Sequence, residues 1–130
     1  RIMILPGNLT NTLPKVIYEE FEGTLSISGR STSPEVEEYF EEFIPYLKDN
    51  LIKDPIDIVA SFDFDFFNTK TSRIIMKILY ILKKHVYDAG KNLKISWVYE
   101  EGDEDLFEAG KDYEDIIKIP FEFIEKPMPE

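Results

Sequence analysis

The chain has 130 residues, 43% of them hydrophobic, enough for one domain with its own core and short of two. Its 15 Lys and Arg stand against 26 Asp and Glu, a formal net charge of -11, so duplex nucleic acid and anionic membrane surfaces are repelled. Cysteine is absent and His85 is the one histidine, which excludes disulfides, thiol nucleophiles, zinc–thiolate centres and His-rich metal sites and points to a reducing, cytoplasmic setting.

No run approaches the roughly 18 unbroken apolar residues of a membrane span, and no secretory signal is visible. In chain order, residues 1–11 read as a lead-in broken by Pro6, Gly7 and Asn8. A β-rich run from Val16 to Phe21 follows. Gly23 permits a tight hairpin, and Leu25 and Ile27 then alternate with Ser26 and Ser28. Ser33 suits an N-cap, Pro34 a first helical position and Glu35, Glu37 and Glu38 the positive end of a helix dipole, predicting a helix over 34–50. Val36, Tyr39, Phe40, Phe43 and Leu47 form its apolar stripe, and Pro45 should kink or interrupt it.

The clearest strand is 56–67. Ile56, Ile58, Ala60, Phe62, Phe64 and Phe66 fall on one face, with Asp57, Ser61, Asp63 and Asp65 on the other. A helix over 71–89 carries Ile74, Ile75, Ile78, Leu79, Ile81, Leu82 and Val86 on a broad buried face and stops at Gly90. Leu93, Ile95, Trp97 and Tyr99 mark a strand over 93–99. An acidic helix over 103–115 carries Leu106, Phe107 and Tyr113, and a last strand spans 117–124. Pro120 cannot donate to a ladder, which places that strand at an edge or a bulge. Residues 126–130 read as a tail, leaving a single domain over 12–125.

The order β-β-α-β-α-β-α-β predicts an α/β fold. Its sheet is mixed: an antiparallel hairpin opens it, and parallel β-α-β units follow. The strands are apolar on one face only, so the helices should pack mainly on that face and leave the other partly wet.

Chemistry concentrates where the central strand hands over to the second helix, in Asp63-Phe64-Asp65-Phe66-Phe67-Asn68-Thr69-Lys70-Thr71-Ser72-Arg73. Sites of open sheets gather at the C-terminal ends of strands. A phosphate there would add about -1.5 to -2 charges at a positive helix end, tolerable locally and disruptive to a docked partner. Thr69 or Thr71 could equally be an ordinary helix cap. Asp63 and Asp65 share a strand face and could hold Mg²⁺ for a small metal-dependent enzyme, or lie on a solvated surface. His85, beside Lys83 and Lys84, reads as a surface or boundary residue, and Trp97 and Tyr99 as core aromatics. The carboxylates from Glu100 to Asp105 read as a solvated loop entering a helix. Arg30 could meet an acidic neighbour or a phosphate.

Four segments, in order and spacing, resemble the SiaC family of bacterial regulatory phosphoproteins, related in architecture to STAS-domain anti-anti-sigma factors. They are Thr12-Leu13-Pro14; Gly29-Arg30-Ser31 with Pro34-Glu35 and Tyr39-Phe40; Phe66-Phe67-Asn68-Thr69; and Ile95 to Glu101 continuing to Asp103-Glu104-Asp105. The resemblance runs from about Thr12 to Phe123. It implies a STAS-like fold and a non-enzymatic signalling protein with no cofactor and no metal. Thr69 maps onto the phosphoacceptor. Lys70 stands where the family usually has serine, so Thr71 is the alternative acceptor. Asn68, Lys70, Thr71, Ser72, Arg73 and Arg30 would contact partners. The implied partners are a threonine kinase of histidine-kinase-like ATPase type, a PP2C-type phosphatase and, for the unphosphorylated form, a diguanylate cyclase of cyclic-di-GMP and biofilm regulation. A constitutive adaptor whose hydroxyl-rich join is purely structural is the other non-enzymatic possibility.

Overall fold

The computed structural model describes all 130 residues. A mixed sheet of six strands runs in the order β1-β2-β3-β4-β5-β6. The strands are β1 (Ile2–Pro6), β2 (Lys15–Glu19), β3 (Thr24–Ser31), β4 (Ile58–Phe67), β5 (Leu93–Glu100) and β6 (Phe121–Lys126). The first two pairings are antiparallel and the remaining three parallel. Helices α1 (Val36–Phe40) and α2 (Phe43–Lys53) link β3 to β4, α3 (Thr69–Leu82) links β4 to β5, and α4 (Glu104–Ile117) links β5 to β6. No helix is long and apolar enough to cross a membrane.

Every crossover steps to the next strand in the same direction. Crossovers of one hand stepping one way put all their helices on one face, as the one-sided apolar pattern requires. That face buries Val16, Tyr18, Leu25, Ile27, Ile58, Ala60, Phe62, Phe64, Ile95 and Trp97 under Phe40, Phe43, Leu47, Ile75, Ile78 and Leu82. The opposite face carries a row of register partners, Ile17, Ser26, Ser61, Ser96 and Glu122, with no helix over it.

Trp97 organises the core between β5 and α4. Its indole stacks on Phe62 and Phe121 and donates from Nε1 to the Leu106 carbonyl at 2.9 Å. A β-carbon on Gly110 would sit 2.5 Å from the Trp97 ring, so only glycine lets α4 approach this closely. Gly23 has φ +71 and would place a β-carbon 2.2 Å from the Asp57 carbonyl, which explains its position in the β2–β3 turn.

The structure departs from the sequence reading at several boundaries. The lead-in of residues 1–11 holds β1, paired residue for residue with β2. The helix expected over 34–50 is two helices, broken at Glu41 and Glu42 rather than at Pro45. Restarting at Phe43 puts Pro45 in the first turn of α2, where its missing N–H has no helical acceptor to lose. Ser33 does not cap α1; its hydroxyl accepts from the Glu35 N–H at 3.1 Å in the turn before the helix. The helix expected over 71–89 begins at Thr69 and ends in a π-helical turn, Lys83–Tyr87. β4 begins at Ile58, and its alternation slips near its end. Gly29 pairs with Phe64 and Arg30 with Phe66, so Asp65 is an extra, bulged residue. Phe66 is thereby turned out to 52% exposure, while Phe67 turns inward against Phe64 and Trp97. The last strand is shifted to Phe121–Lys126. It is an edge strand, but Pro120 lies outside it, and the expected tail at 126–130 gives Lys126 to the sheet.

Candidate functional site

The handover from β4 to α3 is fastened by Asn68. Its backbone is extended, with φ -86 and ψ 176, and its N–H donates to the Ser31 carbonyl at 2.9 Å. Its side-chain oxygen caps α3 by accepting from the Thr71 N–H at 2.9 Å and the Thr71 hydroxyl at 2.8 Å. Its amide nitrogen donates to the Ser33 carbonyl at 3.2 Å. The cap expected from Thr69 or Thr71 is therefore supplied by Asn68, which ties α3 to the end of β3 and to the turn before α1.

The two threonines that flank Lys70 have opposite environments. Thr71 is fully buried, and its hydroxyl lies 2.6 Å from the equally buried Ser31 hydroxyl, besides its bond to Asn68. Thr69 is exposed as the first residue of α3, and its hydroxyl has no protein partner. Its carbonyl accepts from the Ser72 hydroxyl at 2.6 Å. Helical geometry accounts for the contrast. Thr71 precedes Ile74, Ile75 and Ile78 at spacings of three, four and seven on the buried stripe, whereas Thr69 shares its face with exposed Arg73.

The surrounding cations are also placed. Lys70 Nζ donates to the Pro34 carbonyl at 3.1 Å and lies 3.9 Å from the Glu37 carboxylate, strapping α3 to α1. Arg73 is exposed and has no ion pair. Arg30 stacks its guanidinium over the Phe66 ring at 5.6 Å, with no carboxylate partner. The structure thus brings Asn68, Thr69, Lys70, Thr71, Ser72 and Arg73 together as the N-cap and first turn and a half of α3. Arg30 sits beside it on the helix-free face of the sheet, placed there by the alternation of β3, and the bulge in β4 brings Phe66 out to meet it. The Ser72 carbonyl is engaged from α4 by the Tyr113 hydroxyl at 2.9 Å, and burial pushes the Tyr113 phenol well above its ordinary pKa.

Asp63 and Asp65 do lie together, but Lys126 Nζ sits between them at 2.8 and 3.0 Å. An ammonium there takes up the carboxylates that a Mg²⁺ reading needs. The two carboxylates in turn hold the Lys126 pKa above its ordinary value, against the opposing pull of its partial burial. His85 lies in the π-helical turn, roughly 24 Å along the helix axis from Thr69 at 1.5 Å per residue. Partial burial and the charges of Lys84 and Lys48 hold its pKa below the usual value. It is far too distant to activate the Thr69 hydroxyl.

Sequence reasoning missed Ser31 and Lys126. Ser31 has no site role in the sequence reading, yet its parity with Leu25 and Ile27 places it on the inner face. Lys126 was assigned to a tail, and nothing local signals an ion pair with residues about sixty positions earlier.

A one-sided mixed sheet with a solvent-facing hydroxyl at the strand-to-helix handover defines a small α/β domain whose candidate site lies on the surface rather than in a cleft. The model of the family described as "SiaC family regulatory phosphoprotein" matches residues 8–126, and the chain belongs to that family. It is accordingly a regulatory protein rather than an enzyme.

Solved structures agree on the fold. A chain in the crystal structure of diguanylate cyclase SiaD in complex with its activator SiaC from Pseudomonas aeruginosa superposes with a TM-score of 0.85 at 20% identity, over 95% of this chain and 99% of that one. SiaC of Pseudomonas aeruginosa gives 0.80 at 19% identity, over 98% and 99%. The apo-SiaC crystal structure from the same organism gives 0.81 at 18% identity, over 95% and 98%. No curated protein sequence matches the chain.

Proposed function

We propose that this chain is a non-enzymatic, cytoplasmic signalling protein whose output is docking and whose switch is phosphorylation of Thr69. The observation that carries the reading is the contrast between the exposed, unengaged Thr69 hydroxyl and the buried, hydrogen-bonded Thr71 hydroxyl two residues on. A kinase reaches the first without unfolding the join and cannot reach the second. Membership of a family of regulatory phosphoproteins supports the same choice.

In the modification, Thr69 Oγ1 forms a bond to the γ-phosphorus of ATP, the bond to the bridging oxygen breaks, ADP leaves, and the hydroxyl proton passes to a base of the kinase. The kinase is of histidine-kinase-like ATPase type, and a PP2C-type phosphatase reverses the step. The unphosphorylated form docks on a diguanylate cyclase through Asn68, Lys70, Ser72 and Arg73, with Arg30 at the margin. A fold match to a SiaC solved with its cyclase supports that choice of partner. The phosphate breaks docking by placing up to about two negative charges in the middle of the contact. A differential affinity of a few kcal/mol is enough to move occupancy from nearly full to nearly empty.

Incubation with the kinase of this type from the same genome and ATP, followed by peptide mass spectrometry, tests the assignment. The expected result is one phosphate, on Thr69. A phosphate found only on Thr71, or none on either threonine, overturns it.

A further inference from the structure

Lys70 and Arg73 both follow Thr69 in the first turn and a half of α3, one and four residues on, and their present engagements are weak. Arg73 is four residues after Thr69, so the two β-carbons are about 5–6 Å apart on one face, with the residue that would carry negative charge on the N-terminal side, the favourable orientation. It is exposed and has no ion pair in a chain with 26 carboxylates. Lys70 is committed to a backbone carbonyl at 3.1 Å and to Glu37 at the outer limit of an ion pair, 3.9 Å, with both side chains substantially exposed. An exposed pair of this kind contributes little and is easily exchanged. Other charged groups at this end of the sheet are Glu37 on α1 and Asp65, Asp103 and Asp105, which line a hollow with Phe66 and Phe67 and which a phosphate would repel, and Arg30, held on Phe66 between adjacent strands.

From this arrangement we propose that phosphorylated Thr69 is held within its own chain, Arg73 and Lys70 together forming a receptor for the phosphate monoester. Lys70 exchanges the Pro34 carbonyl and Glu37 for the phosphate, which unstraps α3 from α1. The modification then acts twice on a docking surface. It adds negative charge, and it withdraws the two cations of the same turn from any partner. The inference rests on the Thr69 reading for its relevance in the cell. Its test does not, because the phosphate is installed directly.

The test uses full-length protein with phosphothreonine encoded at position 69, titrated by ³¹P NMR. The second ionisation of phosphothreonine lies near pH 6 when nothing holds it. In the folded protein it should fall by roughly half a unit relative to the same protein in urea, as expected for two charge-assisted partners on an exposed helix. Arg73→Gln and Lys70→Met should each return part of that shift, while Lys77→Met, further along the helix, should leave it in place. In parallel, the amide signals of residues 35–37 should move on phosphorylation of the wild type and stay put in Lys70→Met. If both variants titrate like the wild type, the phosphate faces solvent alone and the proposal fails. If the residue 35–37 signals do not move in the wild type, Lys70 keeps its strap and its half of the proposal fails. If phosphate is held as described but no kinase modifies Thr69, the receptor stands and the proposed function falls instead.

Discussion

Replacing Thr71 by valine preserves shape and removes one hydroxyl, which makes it the sharpest probe of the join. The Thr71 hydroxyl has one hydrogen to give, with Asn68 Oδ1 at 2.8 Å and the Ser31 carbonyl at 3.2 Å as acceptors, and its 2.6 Å contact with the Ser31 hydroxyl is a hydrogen bond in which either oxygen can be the donor. Valine leaves the Ser31 hydroxyl, fully buried, without that partner. Asn68 Oδ1 keeps the Thr71 N–H, so the helix cap survives in weakened form. The dominant cost is desolvation of one unsatisfied hydroxyl, about 1–3 kcal/mol. At an m-value of about 2 kcal/mol/M this moves the urea midpoint down by roughly 1 M. Thr69→Val, on an exposed and unengaged side chain, should change stability by less than about 0.5 kcal/mol. Equilibrium urea unfolding of the three proteins, followed by Trp97 fluorescence, reads both numbers. Equal midpoints for Thr71→Val and wild type, or a larger loss in Thr69→Val, would refute the division of the two threonines into anchor and acceptor.

Three other outcomes follow from the geometry. Gly110→Ala drives a methyl group into the Trp97 indole and should cost about 1–3 kcal/mol or more, read as a lowered Tm with a shifted Trp97 emission. Tyr113→Phe should lose about 1 kcal/mol at neutral pH, and its stability should fall less steeply than that of the wild type above pH 10. The sign follows from burial. The folded phenol keeps its proton past its ordinary value of 10.0, so its contribution is present below that value and declines as the unfolded chain begins to ionise. Lys126 has its pKa raised, so the contribution of its bonds to Asp63 and Asp65 is present at neutral pH and lost as pH rises through the folded value. The stability difference between wild type and Lys126→Met should close in that alkaline window, and a gap that persists beyond it would count against the ion triad.

Much of the architecture is legible in the residues because it rests on local periodicity. The alternation of Ile58, Ala60, Phe62 and Phe64 and the stripe of Ile74, Ile75 and Ile78 each specify one buried face, and one-sided strands imply one-sided helices. What escaped is set by distant partners. β1 is a short edge strand that exists through pairing with β2, and Pro6-Gly7 masks it. The bulge at Asp65 depends on β3, where Gly29 adopts φ +104, so nothing in β4 itself announces that Phe66 turns outward. The site was half visible. Hydroxyls at a helix start were evident, and the burial of Thr71 was encoded in its spacing to the isoleucines, but the Ser31 hydroxyl that completes its environment lies forty residues away. Lys126 was hidden for the same reason, by a parallel edge strand that brings it beside β4 through β5.

The central claim is that modification of Thr69 controls docking, and the most direct measurement is calorimetric binding of this chain to its proposed partner, a diguanylate cyclase from the same host. Unmodified protein and protein carrying phosphothreonine at position 69 are compared at one salt concentration. The account predicts a saturable complex for the first and at least a tenfold weaker Kd for the second, about 1.4 kcal/mol or more. Equal affinity for the two forms would contradict it.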